Sequence, residues 1–401
     1  MAIKSGNIIH DVHGFVIDRV QSAGGSIDVP TTKIDELGNY ESVATIRDIP
    51  DLQFNLESFD ASTEIEALIC GFDPTTTSAG QAFDFRNAKE FGIRSPFKSG
   101  TTFTVNHGVI LPWLTLESAS YSFGLADNAT QTFNFRGDSI FYVPGSPRYE
   151  EFTVIDEGPY TLTDDPAIKF TQAGNSVYAL SVVLVDSVTK NQRRLKAGAD
   201  YASTATTLTL TADPVADFDT IRVYYGSTDA DTFNQTVHQG VSVKPAAVRG
   251  KDIDIYVANT AGTVWTRWTS VQSFSADWSV SLESDEEFGN TERVSYGYSD
   301  TPATTGSIGV KPRDASDLWE KLSVISGIPT TDVIGTQAAV ALPVRAVVRE
   351  PNTANVMKTL TIPKARFKVP SLEPSVNQKL EVSFEFESDD GVMTVTKGMP
   401  A

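Results

Sequence analysis

The chain has 401 residues, enough for two or three domains, and its hydrophobic content of 40% argues against wholesale disorder. Its formal net charge of −19 argues against a protein that grips DNA or RNA through phosphates, because such binding needs concentrated Lys and Arg. Cys70 is the one cysteine, which excludes an intrachain disulfide, and no apolar run approaches the roughly 20 residues of a membrane helix. The N-terminus has no apolar segment, so we expect no signal peptide.

Short alternating runs in the first part of the chain predict strands and one helix. Strands are expected at residues 15–17, 27–29, 43–46, 52–56, 109–112 and 132–135. A helix is predicted from Asp60, a suitable N-cap, to Ile69, and Gly71 is expected to end it. Ile65, Leu68 and Ile69 have the i, i+3, i+4 spacing of one buried face.

Residues 146–239 have a different pattern. β-rich runs occur at residues 152–154, 160–162, 180–185, 207–210 and 221–225, with turn signals between them and no helical spacing. This part of the chain is therefore predicted to be a small all-β domain, either Ig-like or a small barrel.

The first pattern resumes after residue 240. Ala276, Trp278 and Val280 alternate with polar residues and predict a half-buried strand, and Tyr296 and Tyr298 alternate on a return strand. The acidic stretch between the two strands is predicted to be the tip of a hairpin that reaches beyond the sheet.

A second helix is predicted to begin at the N-cap Asp314 and to end at Gly327. Its apolar stripe is predicted to consist of Leu318, Trp319, Leu322 and Ile325.

The two hairpin tips share one residue pattern, and their glycines, Gly38 and Gly289, lie 251 positions apart. The first tip is Asp35, Glu36, Leu37, Gly38, Asn39 and Tyr40, and the second is Asp285, Glu286, Glu287, Phe288, Gly289, Asn290 and Thr291. Residues 132–135 match 383–386 at the same offset, residues 109–112 are matched with 340–343, and both helices start at an Asp-Ala-Ser. We therefore predict a duplicated domain, residues 1–145 and 240–401, with the all-β domain of residues 146–239 inserted between the copies.

Residues for catalysis or metal binding are scarce. His10 and His13 are three apart, but no third ligand lies nearby, and His107 and His238 lack a nucleophile motif. The sequence has no phosphate-binding or dinucleotide-binding glycine motif. We expect no enzyme, no cofactor and no metal site.

The second copy resembles the tail tube proteins of long-tailed bacteriophages, from about residue 274 to 327. The resemblance is carried by the strand, the acidic tip, the Tyr-rich return strand, a turn with Pro302 and Gly306, and the Asp314-capped helix. It implies a mainly β fold, with a β-sandwich or half-barrel and one flanking helix in each copy. It also implies rings of six such domains around a lumen, here formed by three duplicated chains as a pseudo-hexameric trimer.

The resemblance further implies that both hairpin tips are ring-stacking contacts and that the chain is the major tail tube subunit of a virion. The implied partners are other copies of this chain, a tape-measure protein and the tail terminator and distal tail proteins, with transient passage of double-stranded DNA and no membrane. Assembly would occur in the host cytoplasm. Because an outward-projecting middle domain would obstruct a contractile sheath, we expect a non-contractile, siphovirus-like tail.

Glu381, Glu385 and Glu387 share a strand face opposite Val382, Phe384 and Phe386, and are candidate lumen-facing acids. Such acids would repel DNA phosphates and let DNA pass. The equivalent face of the first copy has Thr130, Thr132, Asn134 and Arg136, so a solvated outer face is an equal alternative.

Other functions remain open. The chain could be another virion tail component, such as a distal tail or baseplate hub protein, and the tips could be ordinary surface hairpins. A carbohydrate-binding adhesive protein would require an exposed aromatic platform, but Trp265, Trp268 and Trp278 lie in the second copy and the middle domain has no Trp.

Overall fold

The computed structural model describes residues 8–17, 19–34, 44–47, 49–59, 62–99, 104–163, 167–172, 175–211, 217–229, 231–232, 248–285, 293, 295–332, 340–368, 370 and 379–400. It is mainly β, as predicted from the sequence. The first tip lies outside these residues, and of the second tip only Asp285 is described.

The strands of the first part are β1 (Asp11–Val12), β2 (Phe15–Val16), β3 (Val20–Asp28), β4 (Thr31–Ile34), β5 (Ala44–Arg47), β6 (Asp51–Ser58), β7 (Ala82–Asp84), β8 (Phe91–Ser99), β9 (Thr104–Gly124), β10 (Thr130–Gly137) and β11 (Phe141–Val143). The middle part contains β12 (Ser146–Thr153), β13 (Tyr160–Thr161), β14 (Phe170–Gln172), β15 (Asn175–Val177), β16 (Ala179–Val185), β17 (Gln192–Leu195), β18 (Tyr201–Ser203), β19 (Thr207–Leu210), β20 (Thr220–Ser227) and β21 (Asp231–Thr232). The last part contains β22 (Ile253–Ala258), β23 (Trp265–Arg267), β24 (Val271–Ser279), β25 (Leu282–Asp285), β26 (Ser295–Tyr298), β27 (Ala303–Val310), β28 (Ala341–Arg349), β29 (Val356–Phe367), β30 (Val382–Ser388) and β31 (Thr394–Lys397).

Two α-helices occur among the described residues, α1 (Glu64–Ile69) and α2 (Ala315–Ser326), with short 3-10 turns at Phe85–Asn87 and Gly250–Asp252. The caps of α2 are as predicted. The Asp314 carboxylate accepts a hydrogen bond from the Asp317 N–H at 2.9 Å, and Gly327 ends the helix in the left-handed region at φ 67°.

Two details of the helix predictions are wrong. The indole of Trp319 is 43% exposed, so it does not belong to the buried stripe of Leu318, Leu322 and Ile325. The first helix begins after Thr63 rather than at Asp60, which lies outside the described residues.

The first and last parts of the chain have the same order of elements. A strand (β3 or β24) leads into a hairpin (β4–β5 or β25–β26), a second strand (β6 or β27), a helix, and then β8, β9 and β10 or β28, β29 and β30, with the short strand β7 as an addition in the first part. The hydrogen-bonded ladders also agree, in the order β3–β6–β10–β9 and β24–β27–β30–β29. The two parts therefore share one topology.

The predicted match between residues 109–112 and 340–343 is wrong. Residues 109–112 lie in β9, whereas 341–343 lie in β28, which pairs with β29 as β8 pairs with β9. The counterpart of β9 is β29, which places Pro112 at Pro363, again 251 positions away. The pattern Val-x-Leu-Pro is common in β-strands, so local sequence similarity matched residues 109–112 to the wrong strand of the last part.

One ladder joins the two parts into a continuous sheet. Residues 118–124 of β9 pair antiparallel with residues 273–279 of β24. The resulting order is β3–β6–β10–β9–β24–β27–β30–β29, eight strands that cross both predicted copies. The long strands β9 and β29 also leave this sheet and pair with β8 and β28 in a second layer.

The middle part forms its own sheets, β12–β20–β16–β17 and β13–β19–β18, around a separate core. That core includes Leu162, Val182, Leu208 and Ile221. The predicted boundaries at residues 146 and 239 stay predictions, since residues 233–247 are outside the described part.

Candidate functional site

The candidate functional surface is one side of the eight-stranded sheet, named here the polar face. Successive side chains of a strand point to opposite sides, and the inward positions hold buried aromatic and aliphatic residues such as Phe54, Phe133, Trp278 and Phe384. The outward positions are small or polar: Asp51, Gln53, Asn55, Glu57, Ser118, Ser120, Ser122, Thr130, Thr132, Asn134, Arg136, Ser273, Ser275, Asp277, Ser279, Thr305, Ser307, Ser383, Glu385 and Glu387.

Hydrogen bonds tie the polar face together across strands. The Asn55 amide donates to the Asn134 carbonyl oxygen at 2.7 Å, and the Asn134 amide donates to the Ser118 hydroxyl at 2.8 Å. Ser120 donates to Asp277 across the β9–β24 junction. These bonds hold the side chains along the sheet, so the polar face is an ordered hydrophilic surface.

The charges on the polar face are mixed. Glu381 lies 3.2 Å from the Lys311 ammonium, and Glu385 lies 3.7 Å from that of Lys368. The three glutamates are exposed on one face of the β30 segment, as the alternation predicted. Because two of them have lysine neighbours, the local charge is less negative than the sequence alone indicates.

Both hairpins start at the same end of the eight-stranded sheet. β4 pairs with β5 and β25 pairs with β26, both antiparallel. Asp285, at the end of β25, accepts a hydrogen bond from the Ser295 hydroxyl at 2.8 Å. The strands at the root of each predicted tip are thus present.

The root of the second hairpin is bound to the first part of the chain. The Arg293 guanidinium lies 3.2 Å from the Asp51 carboxylate and also contacts the Tyr296 hydroxyl. Tyr296 donates to the carbonyl of Gly137 at 2.9 Å. The root of the second hairpin therefore lies against the end of β10.

The middle part of the chain reaches the same place. Arg194 of β17 forms a 2.5 Å ion pair with Asp138, lies over the Trp113 ring at 4.7 Å and donates to the Arg293 carbonyl at 3.4 Å. Three regions that are distant in sequence meet here. Sequence reasoning missed this cluster because no local pattern indicates which charges will meet.

A buried polar cluster links the two predicted copies behind the polar face. The Lys358 ammonium lies 2.5 Å from the Glu66 carboxylate and 2.7 Å from the Gln131 amide oxygen, and Tyr121 donates to Glu66 at 2.8 Å. Lys358 is 2% and Glu66 0% exposed. Burial, and then the Glu66 charge, raise the pKa of Tyr121 well above its ordinary value, which keeps the phenol a donor. The one local signal for this pair was Glu66, a charged residue in an otherwise apolar helix.

The histidines considered as ligands have other partners. The His10 ring bonds to the Ser95 hydroxyl at 2.9 Å, and the His13 ring stacks on Tyr149 with centroids 5.2 Å apart. No group of three or more His, Cys, Asp or Glu in a metal-binding arrangement occurs among the described residues. No helix in the described part is long and apolar enough to span a membrane.

No protein-family profile matches the sequence, and no curated protein matches it. Among solved structures, the chain is similar to the SPP1 Dit (gp 19.1) protein, described as a paradigm of the hub adsorption apparatus in phages that infect Gram-positive bacteria. The identity is 13%, the match covers 55% of this chain and 98% of that one, and the TM-score is 0.19. A TM-score of 0.19 does not establish a shared fold.

Proposed function

We propose that this chain is a structural virion protein, the major tail tube subunit of a long-tailed phage. Three copies would form a ring, and rings would stack around a lumen that first holds a tape-measure protein and later passes DNA. The observation that carries the proposal is the β9–β24 ladder, which already joins two sheets of one topology side by side.

The strand β3 forms an open edge of the eight-stranded sheet, where another chain could pair. Among the described residues β3 pairs with β6 alone, while its counterpart β24 pairs with both β27 and β9. An open edge is prone to pair with another chain, and closing a barrel removes it. Repeating the β9–β24 junction between chains would place the continuation of β29 of one copy against β3 of the next, and three chains would give a barrel of 24 strands.

Side-chain exposure supports the same junction. Trp278 and Val280, next to the β9–β24 ladder, are 0% and 6% exposed. The residues 251 positions earlier, Ile27 and Val29, are 40% and 41% exposed. Apolar side chains that are covered in one copy and open in the other indicate a surface that a neighbouring chain would cover.

The polar face suits the wall of such a lumen. It has no large apolar side chain to hold a polypeptide or a base, and its Glu–Lys neighbours limit a strong field of either sign. The middle part of the chain, with its own core, would lie on the outer wall and favour a non-contractile tail.

The test combines negative-stain electron microscopy with sedimentation velocity of the purified protein at increasing concentration. Rings or tubes with a central hole and three peripheral knobs per ring are expected. The double variant Ile27→Glu, Val29→Glu should stay monomeric, whereas Val188→Glu, at a residue 84% exposed in the middle part, should assemble normally.

A wild-type protein that assembles as single rings without stacking would contradict a major tube subunit and favour a hub-like tail component. Normal tubes from the Ile27→Glu, Val29→Glu variant would show that β3 does not form the closing edge.

A further inference from the structure

A cluster of arginine and aromatic side chains lies on the outer face of β22, β23 and β28. We name it the arginine–aromatic patch, and it consists of Tyr256, Trp265, Arg267, Arg345 and Arg349 around Asp254. The register places the residues together, because Tyr256 is directly opposite both Arg267 on β23 and Arg345 on β28. Directly opposed residues of an antiparallel pair share a face.

The patch has more cations than its own carboxylate can neutralise. Asp254 lies 2.5 Å from the Arg267 guanidinium and 2.9 Å from that of Arg349. Arg345 lies instead over the Trp265 ring at 3.9 Å, and its Nε is buried with no hydrogen-bond partner among the described residues. The patch therefore contains three arginines and one aspartate, which pairs with two of them, in a chain whose net charge is −19.

This composition is that of a protein-binding surface. Trp, Tyr and Arg are the residues enriched at the energetically dominant positions of interfaces, where a rigid ring and a multidentate cation are used together. An arginine that is already partly desolvated on a ring has less hydration to lose when a carboxylate binds.

We propose that the arginine–aromatic patch binds the acidic second hairpin of another copy of this chain. Residues 285–292 contain Asp285, Glu286, Glu287 and Glu292, no Lys or Arg, and the aromatic Phe288. The carboxylates complement the arginines, and the phenyl ring suits the Trp265 ring.

The geometry indicates that the hairpin comes from another copy rather than from the same chain. The root of its own second hairpin is fixed to Asp51 and Gly137 of the first part by Arg293 and Tyr296. The patch lies on other strands, β22, β23 and β28, of the second layer. The inference rests on the proposed function, since it names the surface that receives the hairpin when rings stack.

The first experiment measures the contact without assembly. A fluorescent peptide of residues 282–298 is titrated with the full-length chain and followed by fluorescence anisotropy. The wild-type chain and the Arg366→Glu variant should bind the peptide equally. Arg366 lies on β29, outside the patch, and is an exposed cation that pairs with Asp389. Arg345→Glu should bind at least about tenfold more weakly, because a repelling charge replaces the cation that faces the peptide.

The second experiment measures stacking by electron microscopy. Arg345→Glu and Glu287→Arg should each give single rings, and the double variant Arg345→Glu, Glu287→Arg should recover tubes. Equal peptide binding by wild-type and Arg345→Glu, no wild-type binding at about 1 mM, or full tubes from Arg345→Glu would overturn the inference. If the wild-type protein forms no rings, the proposed function fails, while the peptide titration still decides whether the patch binds the hairpin.

Discussion

At the residue scale, the Lys358–Glu66 pair is the most consequential contact between the predicted copies. Its ions are out of water. Gln131 accepts a hydrogen bond from Lys358 and Tyr121 donates one to Glu66 Oε1, while Glu66 Oε2 has no hydrogen-bond partner among the described residues. A pair of this kind contributes little net stability over an apolar pair, but the loss of one partner is costly. Its role is therefore to fix how β29 packs against α1.

Replacement of one partner should expose that cost. Lys358→Met is expected to lower the free energy of unfolding by about 3 kcal/mol, because it leaves the Glu66 carboxylate buried without a cation. Chemical denaturation followed by tryptophan fluorescence measures the change. Lys311→Met, which removes the exposed neighbour of Glu381, should cost less than about 1 kcal/mol, and equal losses in the two variants would refute the special role of the buried pair.

His10 should make stability depend on acidity. Burial lowers the pKa of His10 to about 4 from the 6.5 of a free histidine. The unfolded chain therefore binds a proton at a higher pH than the folded chain. The neutral His10 ring makes its full contribution to the free energy of unfolding above pH 6.5, and this contribution is lost as the pH falls from 6.5 toward 4.

In His10→Gln the fall in the free energy of unfolding between pH 6.5 and 4.5 should be about 2 kcal/mol smaller than in the wild type. Urea denaturation at a series of pH values measures it. An unchanged slope in His10→Gln would show that this ring does not titrate differently on folding.

At the element scale, the sequence predicted those parts whose structure is set by their immediate neighbours. The α2 caps at Asp314 and Gly327 are confirmed, because a capping carboxylate and a left-handed glycine act within one turn of the chain. Strands β10 and β30 are confirmed because their side chains alternate strictly between buried and outward positions. The error at Trp319 arose because helical spacing identifies a face but not how wide the covered part of that face is.

The cap of α2 can be tested directly. Asp314→Ala should lower the free energy of unfolding by about 1 kcal/mol, because the N–H of Asp317 loses its acceptor. Thermal and urea denaturation measure the loss. Glu320→Ala, at an exposed position of the same helix, should change stability by less than about half of that, since alanine is itself a strong helix former. An unchanged free energy of unfolding in Asp314→Ala would mean that the packing of Leu318, Leu322 and Ile325 alone fixes the start of the helix.

At the scale of the whole molecule, the β9–β24 ladder makes two similar sheets into one surface with an exposed β3 edge. In the second copy the strand β24 is paired on both sides, whereas its counterpart β3 in the first copy is paired on one side. That asymmetry gives the isolated chain a measurable signature, separate from its behaviour on assembly.

Hydrogen–deuterium exchange should reveal the asymmetry. In the monomer, amides of β24 should exchange slowly and those of β3 at least about tenfold faster, because β24 is paired on both sides and β3 on one. On assembly β3 should become protected while β24 stays unchanged. Strong protection of β3 in a verified monomer would mean that the edge is already covered within the chain.

The sequence by itself determined the mainly β class, most strands, the caps of α2, the exposed face of Glu381, Glu385 and Glu387, and the shared pattern of the two hairpins. These follow from periodicity and capping, which act over a few residues. Only the tertiary structure decided that β9 pairs with β24, that Lys358 lies against Glu66, that Arg194 meets Arg293, and that Arg345 stacks on Trp265. Such contacts join residues far apart in the chain, and many alternative partners satisfy the same local pattern, so the choice among them is made by the packing of the whole fold.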